Sequence, residues 1–382
     1  MARKQSPEKL RQRIELFSQK LIKASPKVDI QETEEEKSER KKRLLKNFEK
    51  FCFFYFPKIA KSEFAAWHKK YYRHIIKHDE CYVAIKVSRD FAKSSVTILL
   101  IVFLYLNGEI KSLGLFSHSE DQATKLIAPI KVALEKNDQL IRDFGQFKGS
   151  KWKDDWFITK DGASFMAFGS GQTPRGGKDP EESTRFDFIL FDDFDHPEVC
   201  LNEDRLNKAW KYVQGDVIPA LHVSGKKRII FLNNKIAEDC IIERAYKKAL
   251  DPAILNALRL TVNLRDKNGN SNWPEAYTNE QVNMMYALAG EEAETEYDNN
   301  PTADGKEWLE EYFIYRKLPP LSKYQFLLSY LDSGFKKTQY SDTKALPLLG
   351  YYQGEFHLRW IMCRNADLPA QADWHYILED IF

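Results

Sequence analysis

Cys81-Tyr82-Val83-Ala84-Ile85-Lys86-Val87 runs directly into Ser88-Arg89-Asp90-Phe91-Ala92-Lys93-Ser94-Ser95, and an apolar run of 11 residues, Val96 to Leu106, follows. The pattern is a buried strand, a short polar loop and a buried helix beginning near Ser94. A loop at that junction gathers backbone N–H groups at a helix N-terminus, where the dipole favours anions. A lysine there can reach β- and γ-phosphates, and a hydroxyl next to it can hold Mg2+. Lys93 and Ser94 stand in those places, Ser95 follows, and Arg89 adds a second cation. Val87 and Ala92 occupy the two positions where such a loop ordinarily carries glycine. Taken alone, Lys93-Ser94 reads more readily as a surface loop, and Arg89 partly restores the phosphate reading.

Further along the chain the alternation continues. Lys111 to Ser117 reads as a strand, Glu120 to Lys136 as a helix, Phe186 to Phe191 as a fully buried strand, and Lys227 to Leu232 as another, with a helix over Ala237 to Leu250. Apolar strands alternating with helices predict an α/β fold whose mostly parallel sheet is covered on both faces. Phe188-Ile189-Leu190-Phe191 ends in Asp192-Asp193, which delivers two carboxylates to the sheet edge where open α/β folds bind ligands. Asp192 suits Mg2+, directly or through water, and Asp193 suits polarisation of an attacking water. Two acids closing a strand at a turn are the plainer alternative. Ile229 to Leu232 ends in Asn233-Asn234, amides able to contact a terminal phosphate or to begin a turn. Between these elements, Phe168-Gly169-Ser170-Gly171-Gln172-Thr173-Pro174-Arg175-Gly176-Gly177-Lys178 is a glycine-rich loop able to carry an arginine finger, to touch DNA, or simply to lie on the surface.

Composition bounds the rest. The 382 residues suit two domains or more, and 43% hydrophobic with 30% charged residues is globular. With 58 Lys+Arg against 56 Asp+Glu, a uniformly basic nucleic-acid coat is excluded, though a local basic face is not. Residues 1–50 hold 15 Lys+Arg against 9 Asp+Glu and read as a solvated helix or a tethered, partner-contacting arm. Cysteines 52, 81, 200, 240 and 363 form no Cys-x-x-Cys pair, so neither a zinc ribbon nor a disulfide framework is expected. No apolar run is long enough to span a bilayer and no signal peptide is read, so a soluble intracellular chain without a membrane partner is expected. After residue 250 the pattern weakens. Leu318-Pro319-Pro320-Leu321 reads as a linker, and a new strand, Gln325 to Leu331, ends in Asp332. A further strand starts near Leu346, a hairpin turn falls at Gln353-Gly354-Glu355, and the chain closes in a helical stretch.

The order and spacing of these motifs resemble the large subunit of tailed-bacteriophage terminases, over roughly residues 50–365. Arg89 through Ser94 matches that family's deviant Walker A loop, Arg175-Gly176 its arginine loop, Asp192-Asp193 its Walker B acids, and Leu232-Asn233-Asn234-Lys235 its coupling motif. The Trp67-His68 helix resembles the segment near the adenine, and Asp332-Ser333-Gly334 with Ser341-Asp342 resembles the start of an RNase H-like nuclease. The resemblance implies a charged arm over residues 1–48, a RecA/ASCE-type P-loop ATPase with its linker over 49–318, and the beginning of a nuclease fold over 319–382. It implies ATP and Mg2+ as cofactors, with ATP-binding by Arg89, Ala92, Lys93, Ser94 and Ser95, metal-binding by Ser94 and Asp192, catalysis by Asp193 and Arg175, and coupling by Asn233 and Asn234. Asp332 is the implied nuclease ligand for Mg2+ or Mn2+. The family's later nuclease carboxylates would fall beyond Phe382, so this chain is expected to hydrolyse ATP without cutting DNA. The implied partners are double-stranded DNA, a portal protein, a terminase small subunit and further copies in a homo-oligomeric ring. The implied location is the host cytoplasm, transiently on the procapsid. Other P-loop ATPases acting on nucleic acid, a helicase or a clamp-type regulator, and a non-enzymatic scaffold with a degenerate nucleotide fold are the alternatives.

Overall fold

The computed structural model describes residues 32–174, 185–301, 313–332 and 344–381, together with Gln12 and Glu15. The chain divides into two compact units, Met1–Asp304 and Gly305–Phe382.

The first unit is built on an eight-stranded sheet: β1 (Glu80–Val87), β2 (Ser112–Ser117), β3 (Lys148–Trp152), β4 (Trp156–Thr159), β5 (Ser164–Gly169), β6 (Phe188–Asp192), β7 (Lys227–Asn233) and β8 (Ala257–Val262), in the order β3-β4-β5-β2-β6-β7-β1-β8. From β5 to β8 neighbouring strands are parallel, and β3 and β4 add an antiparallel edge. This is the mostly parallel α/β sheet read from the alternating pattern. Successive side chains point to opposite faces, so the apolar runs feed two cores. Val83, Ile85, Leu115, Leu190 and Leu232 face one, and Tyr82, Ala84, Phe116, Phe191 and Phe231 face the other.

Helices packed on the first face include α1 (Glu34–Leu45), α2 (Phe48–Tyr55), α3 (Ala66–Lys77) and α4 (Lys93–Leu106), the last buried from Val96 to Tyr105 apart from Ile98, and the helix Glu120–Lys136 joins the same core. The charged helix expected near the N-terminus is therefore present as α1, but it is not a free arm. Its outer face is solvated. On its inner side Arg40 pairs with Asp143 at 2.6 Å and with Glu32 at 2.6 Å, Tyr55 donates to the same aspartate at 2.5 Å, and Leu44 is buried. The Asp143 carboxylate is wholly buried, so removing Arg40 would leave that charge without its ion-pair partner away from water.

The region after residue 250, where periodicity fades, supplies β8 and two short helices, Asn279–Ala289 and Ala293–Asp298. Pairing register brings the ends of the central strands level: Lys86 lies opposite Asn233, Asp192 opposite Leu232, and Val87 opposite Val262.

The second unit is an antiparallel three-stranded sheet, β9 (Phe326–Ser329), β10 (Lys344–Tyr352) and β11 (Glu355–Arg364), with a closing helix, Leu368–Ile381. Gln353 and Gly354 both take positive φ, 49° and 89°, as a two-residue hairpin turn requires. Leu346, Leu348, Ala366, Trp374 and Leu378 form its small core.

Candidate nucleotide-binding site

The level strand ends open into a cleft of ≈ 970 Å³ on the first unit. Lining it are the loop Ser88–Ser95, Asp193 from the end of β6, and Asn233 and Asn234 from the end of β7. Residues about 100 positions apart in sequence, Lys93 and Asp193, meet there in an ion pair of 2.7 Å.

The loop reaches its shape without glycine. Asp90 (φ 61°) and Ala92 (φ 52°) adopt the left-handed conformation that glycine would take at no steric cost. Contacts from elsewhere hold it there. Phe91 is fully buried, its carbonyl accepts from His68 Nε2 at 3.0 Å, and its ring stacks on Trp67. Tyr277 Oη donates to the Asp90 carbonyl at 2.8 Å, and the Arg89 amide donates to the Glu296 carbonyl at 3.1 Å. Trp67 and His68 thus brace the loop from beneath, and neither lines the cleft.

Asp192 is buried, and its Oδ1 has no hydrogen-bond partner. Burial raises its pKa to about 6, the Asp193 charge adds to this, and the Lys93 ammonium and Ser94 hydroxyl oppose it. A partnerless buried carboxylate oxygen beside a serine hydroxyl is a hard-oxygen donor set and fits Mg2+. Asp193 lies in the left-handed region too (φ 48°) and is fixed through its backbone. Its carbonyl accepts from Ser117 Oγ at 2.9 Å and from His118 Nδ1 at 3.0 Å, and its amide donates to Leu232.

The two asparagines are buried, and their amides are engaged within the protein. Asn233 Nδ2 donates to Asp195 at 3.3 Å, and Asp195 in turn accepts from the amides of Ile241 and Ile242. Asn234 Nδ2 donates to Glu296 at 3.3 Å, and Glu296 also pairs with Arg89 at 2.5 Å. Ser95, exposed at the mouth, also borders a second recess of ≈ 310 Å³ with Phe64, Trp273 and Tyr277.

Of the residues singled out in sequence, Arg89, Ala92, Lys93, Ser94, Ser95, Asp193, Asn233 and Asn234 line this cleft, with Asp192 in contact with Ser94 behind it. Arg175, with Gly176 to Lys178, lies outside the described residues, as do Ser333, Gly334, Ser341 and Asp342. Asp332 is exposed and pairs through its backbone with Ala345 in the second unit. Among the described residues no group of three or more His, Cys, Asp or Glu is arranged to hold a metal, and no helix is long and apolar enough to cross a membrane. His118, Asp195, Tyr277 and Glu296 escaped the sequence reading. His118 follows directly on the Lys111–Ser117 strand, so a strand-end signal for it existed. Glu296 sits in an acidic, weakly patterned stretch and gave none.

No protein-family model matches the chain, and no curated protein matches it. Solved structures do. The large terminase of a thermophilic bacteriophage aligns at 15% identity over 84% of this chain and 75% of its own, with a TM-score of 0.38. The ATPase domain of a Thermus phage large terminase aligns at 16% identity over 59% of this chain and 89% of its own, with a TM-score of 0.38. The large terminase of bacteriophage HK97 aligns at 12% identity over 85% of this chain and 67% of its own, with a TM-score of 0.46.

Proposed function

We propose that the chain hydrolyses ATP in this cleft and is the motor subunit that drives double-stranded viral DNA into a procapsid. One observation carries the hydrolysis: Lys93, Ser94, Asp192 and Asp193 converge at the C-terminal edge of one parallel sheet, from two separate strand ends. Support for DNA packaging comes from the order of the sequence motifs, from Arg89-x-x-Ala92-Lys93-Ser94 through Arg175-Gly176 and Asp192-Asp193 to Asn233-Asn234.

The chemistry follows from the positions. Ser94 and Asp192 would hold Mg2+, which neutralises developing phosphate charge. Phosphate entering the loop competes with Asp193 for the Lys93 ammonium. Once Lys93 turns to the phosphates, Asp193 is free to accept a hydrogen bond from water and to orient it in line with the γ-phosphorus. The bond from phosphorus to the bridging oxygen then breaks, leaving ADP and inorganic phosphate. Arg175 serves as a finger, in cis or in trans, or as a DNA contact. Portal protein, small subunit and a ring of copies are the partners this reading requires, and the host cytoplasm and procapsid its location. Asp332 would contribute a Mg2+ or Mn2+ ligand to genome cutting.

Phosphate release with ATP and Mg2+, with and without double-stranded DNA, tests the reading. The wild-type chain should turn over and respond to DNA. Lys93→Ala should fall at least about a hundredfold, because it removes the ammonium that neutralises charge on the transferred phosphate. A Lys93→Ala protein that turns over like wild type would place hydrolysis elsewhere.

A further inference from the structure

Glu296 sits where two parts of the cleft meet, the phosphate loop and the end of β7. Its Oε2 holds Arg89 Nε at 2.5 Å and receives Asn234 Nδ2 at 3.3 Å, and its carbonyl accepts the Arg89 amide at 3.1 Å. The carboxylate is partly buried, at 25% exposed, whereas the Arg89 side chain is 63% exposed and able to move.

The helix that carries Glu296, Ala293–Asp298, is anchored at its far end. Asn299, in the left-handed conformation just after it, accepts from the Lys235 amide at 3.1 Å and donates to the Val262 carbonyl at 3.0 Å. Leu264 also donates to Tyr297 at 2.9 Å. The short helix is therefore wedged between the phosphate loop, the end of β7 and the end of β8.

We propose that Glu296 is a positioning residue that couples the state of the phosphate loop to Asn234. This rests on the ATP reading of the cleft. In the structure Arg89 is committed to Glu296. An incoming polyphosphate offers that guanidinium a more highly charged partner, which weakens its hold on Glu296. One carboxylate oxygen serves both donors, so losing Arg89 changes the electrostatic environment of the Asn234 amide at once. Asn234 adjoins Lys235, whose amide is bonded to the same helix, so the end of β7 responds as one piece.

The test uses the full chain and steady-state ATP hydrolysis in the presence of double-stranded DNA. Glu296→Gln keeps the size and an acceptor for Asn234 but releases Arg89 from its ion pair. It should lower KM by about two- to fivefold, since ATP no longer competes with a carboxylate for Arg89. In an Arg89→Ala background the same substitution should leave KM unchanged. A KM decrease that persists without Arg89 would show only a general loss of negative charge, and would overturn the coupling. On the other arm, Glu296→Ala and Asn234→Ala should each lower kcat by roughly three- to thirtyfold, and the double variant no further than the worse single one. Additive losses would overturn the proposal. Glu296→Asp, which restores the charge, should recover part of the kcat lost in Glu296→Ala, and failure to do so would count against it. Lys93→Ala separates the two levels: if that variant hydrolyses ATP normally, the ATP reading falls, whereas a dead Lys93→Ala beside an unaffected Glu296→Gln defeats only the role of Glu296.

Discussion

At the scale of single residues, the contact that defines the resting cleft is the ion pair of Lys93 with Asp193. Each is occupied by the other, and each has a different task in the proposed reaction. Replacing Asp193 by asparagine should therefore separate binding from chemistry. With the carboxylate gone, Lys93 has no competitor for the phosphates, and ATP should bind at least as tightly as in the wild type. Turnover should fall by about a hundredfold or more, because the neutral amide is a weaker acceptor with no negative charge to polarise the attacking water. Equilibrium titration with a fluorescent ATP analogue, beside phosphate release, checks both halves. A weakened affinity would mean that Asp193 holds nucleotide rather than water. The neighbouring carboxylate differs in burial: Asp192 is enclosed, which raises its pKa, whereas the Asp193 side chain is 38% exposed.

At the scale of elements, α3 supports the phosphate loop through His68. The Ala65 amide donates to its Nδ1, so the proton sits on Nε2 and is donated to Phe91. Burial lowers the pKa of His68 to about 4, from 6.5 in the open chain. The unfolded state therefore binds a proton that the folded state refuses. The stability contributed by neutral His68 is complete above about pH 6.5 and is lost as pH falls toward 4, by on the order of 3 kcal/mol. Asp192 and Asp195, both raised to about 6 by burial, act with the opposite sign over the same window. His68→Gln isolates the histidine. Its stability deficit in urea unfolding should be largest at neutral pH and shrink toward pH 4, and a constant deficit would contradict the buried neutral imidazole. The helix around His68 also shows what was legible in the sequence. Strands β1, β2, β6 and β7 announce themselves because strands buried on both faces need continuous apolar runs, and their polar ends mark the site. The helix Ala293–Asp298 stayed hidden because it is short and acidic, and only Ala293, Thr295 and Tyr297 of it are buried. The β3–β4 hairpin was missed for a related reason: edge strands alternate weakly and carry lysines. α1 was legible as a helix, but its docking through Arg40 depends on an aspartate about 100 residues away.

At the scale of the whole molecule, every described residue lining the candidate nucleotide cleft belongs to the first unit, the last of them being Glu296. A fragment ending at Asp304 should therefore keep basal ATP hydrolysis within a few-fold of the full chain. Loss of hydrolysis in a fragment that still unfolds cooperatively would show that the second unit completes the site. The phosphate loop is itself a product of the whole unit, since residues as distant as His68, Tyr277 and Glu296 hold Asp90, Phe91 and Arg89 in place. A loop with alanine where glycine is usual has fewer conformations to surrender when it meets a ligand. Much of the ordering that a glycine-rich loop undergoes on binding is here completed during folding, so calorimetry of nucleotide association should show a small entropic penalty. By the same reasoning, the grip proposed for the loop on phosphate would be tied to the integrity of remote packing, and substitutions far from the cleft that loosen α3 or the Ala293–Asp298 helix should reach a bound nucleotide through the shape of its cradle.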